Sequence, residues 1–147
     1  MNIDIREAEE KDLESLISLY SQPDMDNGRT VSLENAKRIF MKMKNYPFYK
    51  VYAALLDDNI VGTFELLVMD NLAHRGAPSA VVEDVVVSDK HQGKGIGKEM
   101  MIFAMKVCRE MGCYKLSLSS NVKRENAHKF YESLGFNQHG YSFYVDL

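Results

Sequence analysis

Val81-Val82-Glu83-Asp84-Val85-Val86-Val87-Ser88-Asp89-Lys90-His91-Gln92-Gly93-Lys94-Gly95-Ile96-Gly97 is the stretch on which the reading of this chain turns. Its valines predict a buried strand, Ser88 to His91 a short polar turn, and the three alternate glycines a loop that opens a helix. Such a loop bares backbone N–H groups, and the helix N-terminus behind it favours negative charge. The run reads as a socket for a phosphate-bearing ligand, with an acid, Glu83, on the strand that leads into it.

Patterning extends outward from this run in both directions. Downstream, Ile96, Met100, Phe103, Ala104, Val107, Cys108 and Met111 form one apolar helical stripe, and Gly112 suits its C-terminal cap. Tyr114 to Leu118 alternates as a strand. Ala127, Phe130, Tyr131 and Leu134 mark another helix, stopped at Gly135. Phe136 onward and Tyr141 to Val145 predict a closing antiparallel hairpin that turns at His139-Gly140. Upstream, Ile3 and Ile5 alternate in a short first strand, and Leu13, Leu16, Ile17 and Tyr20 recur at helical spacing. A second helix starts near Ser32, with Ala36, Ile39, Phe40 and Met43 on one face. Tyr49 to Leu56 and Ile60 to Val68 make a hairpin across Asp57-Asp58-Asn59, and a loop from Asp70 to Pro78 leads back to the opening strand. The order β-α-α-β-β-β-α-β-α-β-β predicts a mixed α/β fold: mostly antiparallel strands, one strand–helix–strand crossover, and helices on both faces.

A length of 147 residues predicts one domain, 1–147, and 46% hydrophobic with 27% charged residues excludes a disordered chain. The net charge of −3, with both signs mixed along the chain, excludes the basic footprint of a nucleic-acid binder. Cys108 and Cys113 are too few for a disulfide framework, which predicts a reduced, cytoplasmic protein. No apolar run approaches membrane-spanning length, so no membrane partner is expected. The histidines 74, 91, 128 and 139 are scattered without ligand spacing, and no metal is expected. The phosphate-bearing partner is then a small molecule.

Two nucleotide motifs fail on this loop. A P-loop needs Ser or Thr after Gly97-Lys98, where Glu99 stands, and the dinucleotide fingerprint needs a Gly-x-Gly-x-x-Gly spacing that Gly93, Gly95 and Gly97 do not have. Gln92-Gly93-Lys94-Gly95-Ile96-Gly97 instead fits Gln/Arg-x-x-Gly-x-Gly/Ala, and so resembles the acetyl-coenzyme A site of the GNAT superfamily of N-acetyltransferases. The resemblance covers nearly the whole chain. It includes the element order and the stretch Ala127 to Phe136, whose Tyr131-Glu132-x-x-Gly135-Phe136 matches the end of a family helix.

The resemblance implies an acyl-CoA N-acyltransferase fold with a splayed central strand pair, acetyl-CoA as co-substrate, and direct acetyl transfer to the primary amine of a small molecule. Gln92, Gly93, Lys94, Gly95, Ile96, Gly97 and Lys98 would surround the pyrophosphate, and the backbone of Val85, Val86 and Val87 would pair with the pantetheine arm. Glu83 is the implied base. Asp84 is the second candidate, on the opposite face of a regular strand unless a bulge exchanges the two. Tyr131 is the implied hydrogen-bond donor to the leaving thiolate, with a core aromatic beside Phe130 as the alternative. Asn121 and Asn126 are candidates for the pantetheine amides and equally for helix caps; the family's asparagine three residues before Ala127 is here Arg124.

For the acceptor, Glu83-Asp84, the glycine loop, Gly112-Cys113-Tyr114-Lys115 and Phe130-Tyr131-Glu132 are similar to stretches of glucosamine-6-phosphate N-acetyltransferases. Leu116 to Asn121 departs from their acidic-Cys ending. Amino-sugar phosphates, other small amines and protein N-termini are the acceptors that remain, with a non-catalytic acyl-CoA sensor as the reading from another class. The family also makes a homodimer an expectation.

Overall fold

Five strands form one sheet in chain order, β1 (Asp4–Glu7), β2 (Tyr49–Leu56), β3 (Asn59–Met69), β4 (Ser79–Val87) and β5 (Lys115–Ser117). The first four are antiparallel neighbours, whereas β5 runs parallel to β4 after the crossover through α3 (Ile96–Glu110). Helices α1 (Leu13–Tyr20) and α2 (Leu33–Met43) lie between β1 and β2 in sequence, and α4 (Glu125–Ser133) follows β5. The computed structural model describes residues 1–147 and divides into two units, Met1–Ser117 and Leu118–Leu147.

Local chemistry explains the elements of the first unit. The β2–β3 hairpin turns on Asp57 and Asp58, both left-handed at φ 49° and 62°. That is the geometry of a two-residue turn matched to strand twist, which short polar side chains tolerate. The Ser32 hydroxyl accepts from the Asn35 N–H at 3.3 Å and starts α2 where the sequence predicts it. Helix α3 ends in a Schellman cap: Gly112 stands at φ 74° and donates to the Arg109 carbonyl, while the Cys113 N–H donates to Cys108 at 2.9 Å.

The sheet has two covered faces. Tyr52 and Phe64, directly paired, stack at 5.1 Å, and Phe103 of α3 lies edge-on to Tyr52 at 5.2 Å. On the other face Val51 clusters with Ala8, Leu13, Leu16, Ala36 and Phe40, which brings in α1 and α2. Gly62 fixes how closely α3 sits, because a Cβ there would stand 2.8 Å from the Met100 sulfur. Ile96 and Met100 are therefore among the most deeply buried side chains, and the start of α3 is held firmly against β3.

Three sequence expectations need correction. Met101, outside the predicted stripe, is fully buried, whereas Ile39 and Met111 are exposed. The strand expected over Tyr114 to Leu118 is only Lys115–Ser117. The closing hairpin does not form: residues 136–147 contain no strand, and Tyr141, Phe143, Tyr144 and Val145 are 92, 90, 88 and 77% exposed. Alternation specifies one apolar face on a strand but does not supply the edge that pairs with it.

Candidate active site

Strand β4 carries Glu83 and Asp84 and leads into the glycine loop. β5 pairs with it only through Ser79↔Lys115, Ala80↔Leu116 and Val81↔Ser117. Beyond Val81 the β5-facing edge of β4 has no strand partner, which is the predicted splay. On its other side β4 pairs with β3, Glu65 opposite Glu83 and Thr63 opposite Val86. Asp84 and Val85 together therefore face Phe64. This is a bulge, and Asp84 is left-handed at φ 48°. The bulge reverses the alternation, so that Glu83 and Val86 share the α1/α2 face.

The acids at the bulge form a cluster. Glu65 is half-buried and accepts a short hydrogen bond from the Tyr49 hydroxyl. Burial raises the Glu65 pKa first and foremost; the Tyr49 hydrogen bond opposes this, and the charges on Asp84 and Glu83 add to it. Burial and then Asp84 raise Glu83, while burial and then Asp26 raise Asp84. A carboxylate whose pKa is raised toward neutrality is a better proton acceptor when ionised.

At the far end of β4 the chain turns through residues 89–91 into the glycine loop. The Val87 carbonyl accepts from the side-chain amides of Gln22, at 3.2 Å, and Gln92, at 3.3 Å. Gln22 also accepts from the Asp89 N–H at 2.9 Å, and Gln92 donates to the Asp89 carboxylate at 3.1 Å. Gln92 thus braces the turn, and Gln22 ties the end of α1 to it. Gly93 and Gly95 are left-handed at φ 74° and 85°, and a Cβ on either would meet nothing within 4 Å. The backbone conformation and open space, not crowding, demand glycine here. Gly95 is the N-cap of α3 with no side-chain cap, so the first N–H groups of the helix, at Ile96, Gly97 and Lys98, are available to an anion, with Lys94 and Lys98 exposed beside them.

The second unit holds Tyr131, Asn121 and Asn126. Helix α4 ends in the same kind of cap as α3: the Gly135 N–H donates to Glu132, and the Phe136 N–H donates to the Tyr131 carbonyl at 3.1 Å. The Phe136 ring then packs edge-on against Tyr131, with centroids 5.7 Å apart. The Tyr-Glu-x-x-Gly-Phe pattern is therefore a helix cap that orients the tyrosine. Burial raises the Tyr131 phenol pKa against the opposing charge of Arg124, so it stays protonated at neutral pH. The Asn121 side chain accepts from the Lys123 N–H at 2.9 Å, the turn-forming role. Asn126 is exposed in a shallow polar concavity at the start of α4, lined by residues 123–127. Burial pushes the Cys108 thiol up to about 12, which makes it a poor nucleophile.

Glu83, Asp84, Val85 to Val87 and Gln92 to Lys98 thus lie along one strand–turn–helix path. Tyr49, Tyr20 and Gln22 are the site-flanking residues that sequence reading missed. Their only signal is register and tertiary position, which spacing along the chain does not carry.

Comparison with known proteins agrees with this geometry. A profile of the acetyltransferase (GNAT) family matches residues 7–136. The chain is 30% identical over 148 residues to the glucosamine 6-phosphate N-acetyltransferase of Trypanosoma brucei brucei, covering 100% of this chain and 97% of that protein. The structure of glucosamine-6-phosphate N-acetyltransferase from Arabidopsis thaliana superposes with a TM-score of 0.86 at 25% identity, covering 99% of each chain. A structure described as a transcriptional regulator from Bacillus halodurans C-125 superposes with a TM-score of 0.91 at 25% identity, covering 99% of this chain and 100% of that one.

Proposed function

The chain belongs to the acetyltransferase (GNAT) family and is an acetyl-CoA-dependent N-acetyltransferase, and from that premise we propose that it acetylates the primary amine of a small molecule, an amino-sugar phosphate being the favoured class. The observation that carries the reading is the layout of β4, with an unpartnered acid at its bulge and bare helix N–H groups beyond its end. The full-length similarity to the trypanosomal enzyme supports the amino-sugar phosphate. The family match crosses the boundary between the two units and supports one N-acetyltransferase domain over residues 1–147.

In this reading the amine nitrogen attacks the thioester carbonyl, forming the N–C bond as the C–S bond breaks. Glu83 takes the proton from the ammonium, with Asp84 as the second candidate, and the sulfur leaves as a thiolate. Tyr131 donates a hydrogen bond to that thiolate, a role suited to a phenol held protonated. Free N–H groups at Ile96, Gly97 and Lys98 receive the pyrophosphate, and the Val85 and Val86 backbone on the splayed edge is open to the pantetheine arm.

Thiol release from acetyl-CoA, measured with amino sugars and their phosphates, aminoalkylphosphonates, polyamines, aminoglycosides, amino acids and peptides, tests the reading. Release with amino-sugar phosphates above all others is the expected result. A second reading is favoured by the likeness to the structure described as a transcriptional regulator: an acyl-CoA sensor without turnover. Tight acetyl-CoA binding with no thiol release from any amine would establish that reading instead.

A further inference from the structure

The β3–β4 pairing sets Glu65 and Glu83 directly opposite each other, an arrangement that is destabilising when both are charged. Asp84 adds a third carboxylate at the bulge, and its charge is felt by both. The ion pairs of the chain are Arg6–Asp12, Lys11–Glu9, Lys50–Glu7 and Lys106–Glu110, so none of the three acids has a cationic partner.

Two further features separate this cluster from an acidic surface. Glu65 is held in place: Tyr49, paired with Leu67 and so a diagonal neighbour, donates its hydroxyl to Glu65 Oε2, leaving Oε1 free. The Tyr49 ring is itself braced edge-on by Tyr46, with centroids 5.6 Å apart. The second feature is the buried Tyr20 hydroxyl at the end of α1, which lies beside Thr63 without a well-formed hydrogen bond and feels the charges of Glu65, Asp84 and Asp26. Three carboxylates beside a buried hydroxyl, with no ion pair among them, make a cluster that lacks a cation. A primary ammonium supplies one positive charge and three donors.

We propose that Glu65, braced by Tyr49 and facing Glu83 across the strand pair, anchors the ammonium group of the acceptor, a binding role distinct from the proton transfer assigned to Glu83. The inference rests on the reading of the acceptor as a primary amine delivered to Glu83. It divides the labour between two opposed acids: the tethered one binds, and the one without a tether takes the proton.

Steady-state kinetics with the best acceptor of the amine panel tests this division. Glu65→Gln is expected to raise the acceptor KM by about tenfold or more, move kcat less than KM, and leave the acetyl-CoA KM in place. Tyr49→Phe raises the acceptor KM in the same direction by a smaller factor, whereas Glu83→Gln lowers kcat. A Glu65→Gln enzyme that loses kcat at unchanged acceptor KM, or changes in neither, overturns the proposal. Titration of ethylammonium chloride into the 15N-labelled protein needs no turnover. Saturable shifts of the amides flanking Glu65 and Glu83 are expected, with affinity weakened about tenfold in Glu65→Gln. Their absence in the wild type overturns the proposal whether or not any acceptor is found. A panel without any acetylated amine overturns the acceptor reading and leaves the titration to decide on Glu65. Should Glu65→Gln fail to fold, Tyr49→Phe carries both measurements.

Discussion

In the proposed mechanism Glu83 and Tyr131 take opposite tasks, each suited to the protonation state its surroundings favour. Burial and the neighbouring Asp84 charge raise the Glu83 pKa, so its basic form is depleted as pH falls through that raised value. The kcat/KM of the wild type is expected to climb with pH through that range and then level. In Glu83→Gln the limb should vanish and the plateau drop by roughly 10²- to 10⁴-fold. A variant that keeps the wild-type limb would assign it to Asp84 or to a water. Tyr131 is the reverse case, an acid kept from ionising by burial. Tyr131→Phe retains the ring contact with Phe136 and removes only the hydroxyl. It is therefore expected to lower kcat by about tenfold or more while leaving acetyl-CoA affinity within a few-fold, as measured by calorimetric titration.

Elements present these residues, and two glycines decide whether they do so. Gly95 is left-handed at the start of α3 and faces open space, so Gly95→Asp adds backbone strain and a negative charge where the phosphates would dock. Loss of detectable acetyl-CoA binding in a titration, with the melting temperature lowered only slightly, is the expected result; retained binding would place the cofactor elsewhere. Gly135 at φ 94° closes the cap that seats Tyr131 against Phe136. Gly135→Ala is expected to cost about 1 kcal/mol in denaturant unfolding and to reduce kcat more than acetyl-CoA affinity. These two elements were legible in the sequence because their signals are local: alternate glycines, a helical stripe, and a cap residue at fixed offset. The β2–β3 hairpin was legible for the same reason, through its paired aspartates. What spacing along the chain could not give is contact across strands. The bulge at Asp84 is invisible to a period-two count that runs unbroken through Ala80, Val82 and Val86. The Tyr49–Glu65 tether is a diagonal that exists only once the β2–β3 register is fixed. Residues Tyr141 to Val145 mark the converse error, where alternation invites a strand that finds no pairing.

At the scale of the molecule, the first unit holds its outer strand by charge as well as by packing. Arg6 of β1 makes a two-pronged contact with Asp12 at the head of α1, at 2.7 and 3.0 Å, and the same carboxylate accepts from the Glu9 N–H at 2.8 Å. Asp12 is buried, so its charge is worth holding only because both oxygens are engaged. The Arg6 hydrogen bond, more than burial opposes it, holds the Asp12 pKa below the ordinary carboxylate value. A depressed native pKa contributes stability that is full above the unfolded value, near roughly pH 4, and is lost as pH falls through the native one. Asp12→Asn removes that contribution and leaves Arg6, a partly exposed cation, without its partner. It is expected to lower the unfolding free energy at pH 7 by roughly 1–3 kcal/mol. The gap between wild type and variant should then narrow on acidification below about pH 4, where the carboxylate takes up its proton first in the unfolded chain and only at lower pH in the native one. Urea unfolding at pH 7, 5, 4 and 3 measures both curves; a gap that stays constant down to pH 3 would mean that packing around Asp12, and not its charge, secures β1 to α1.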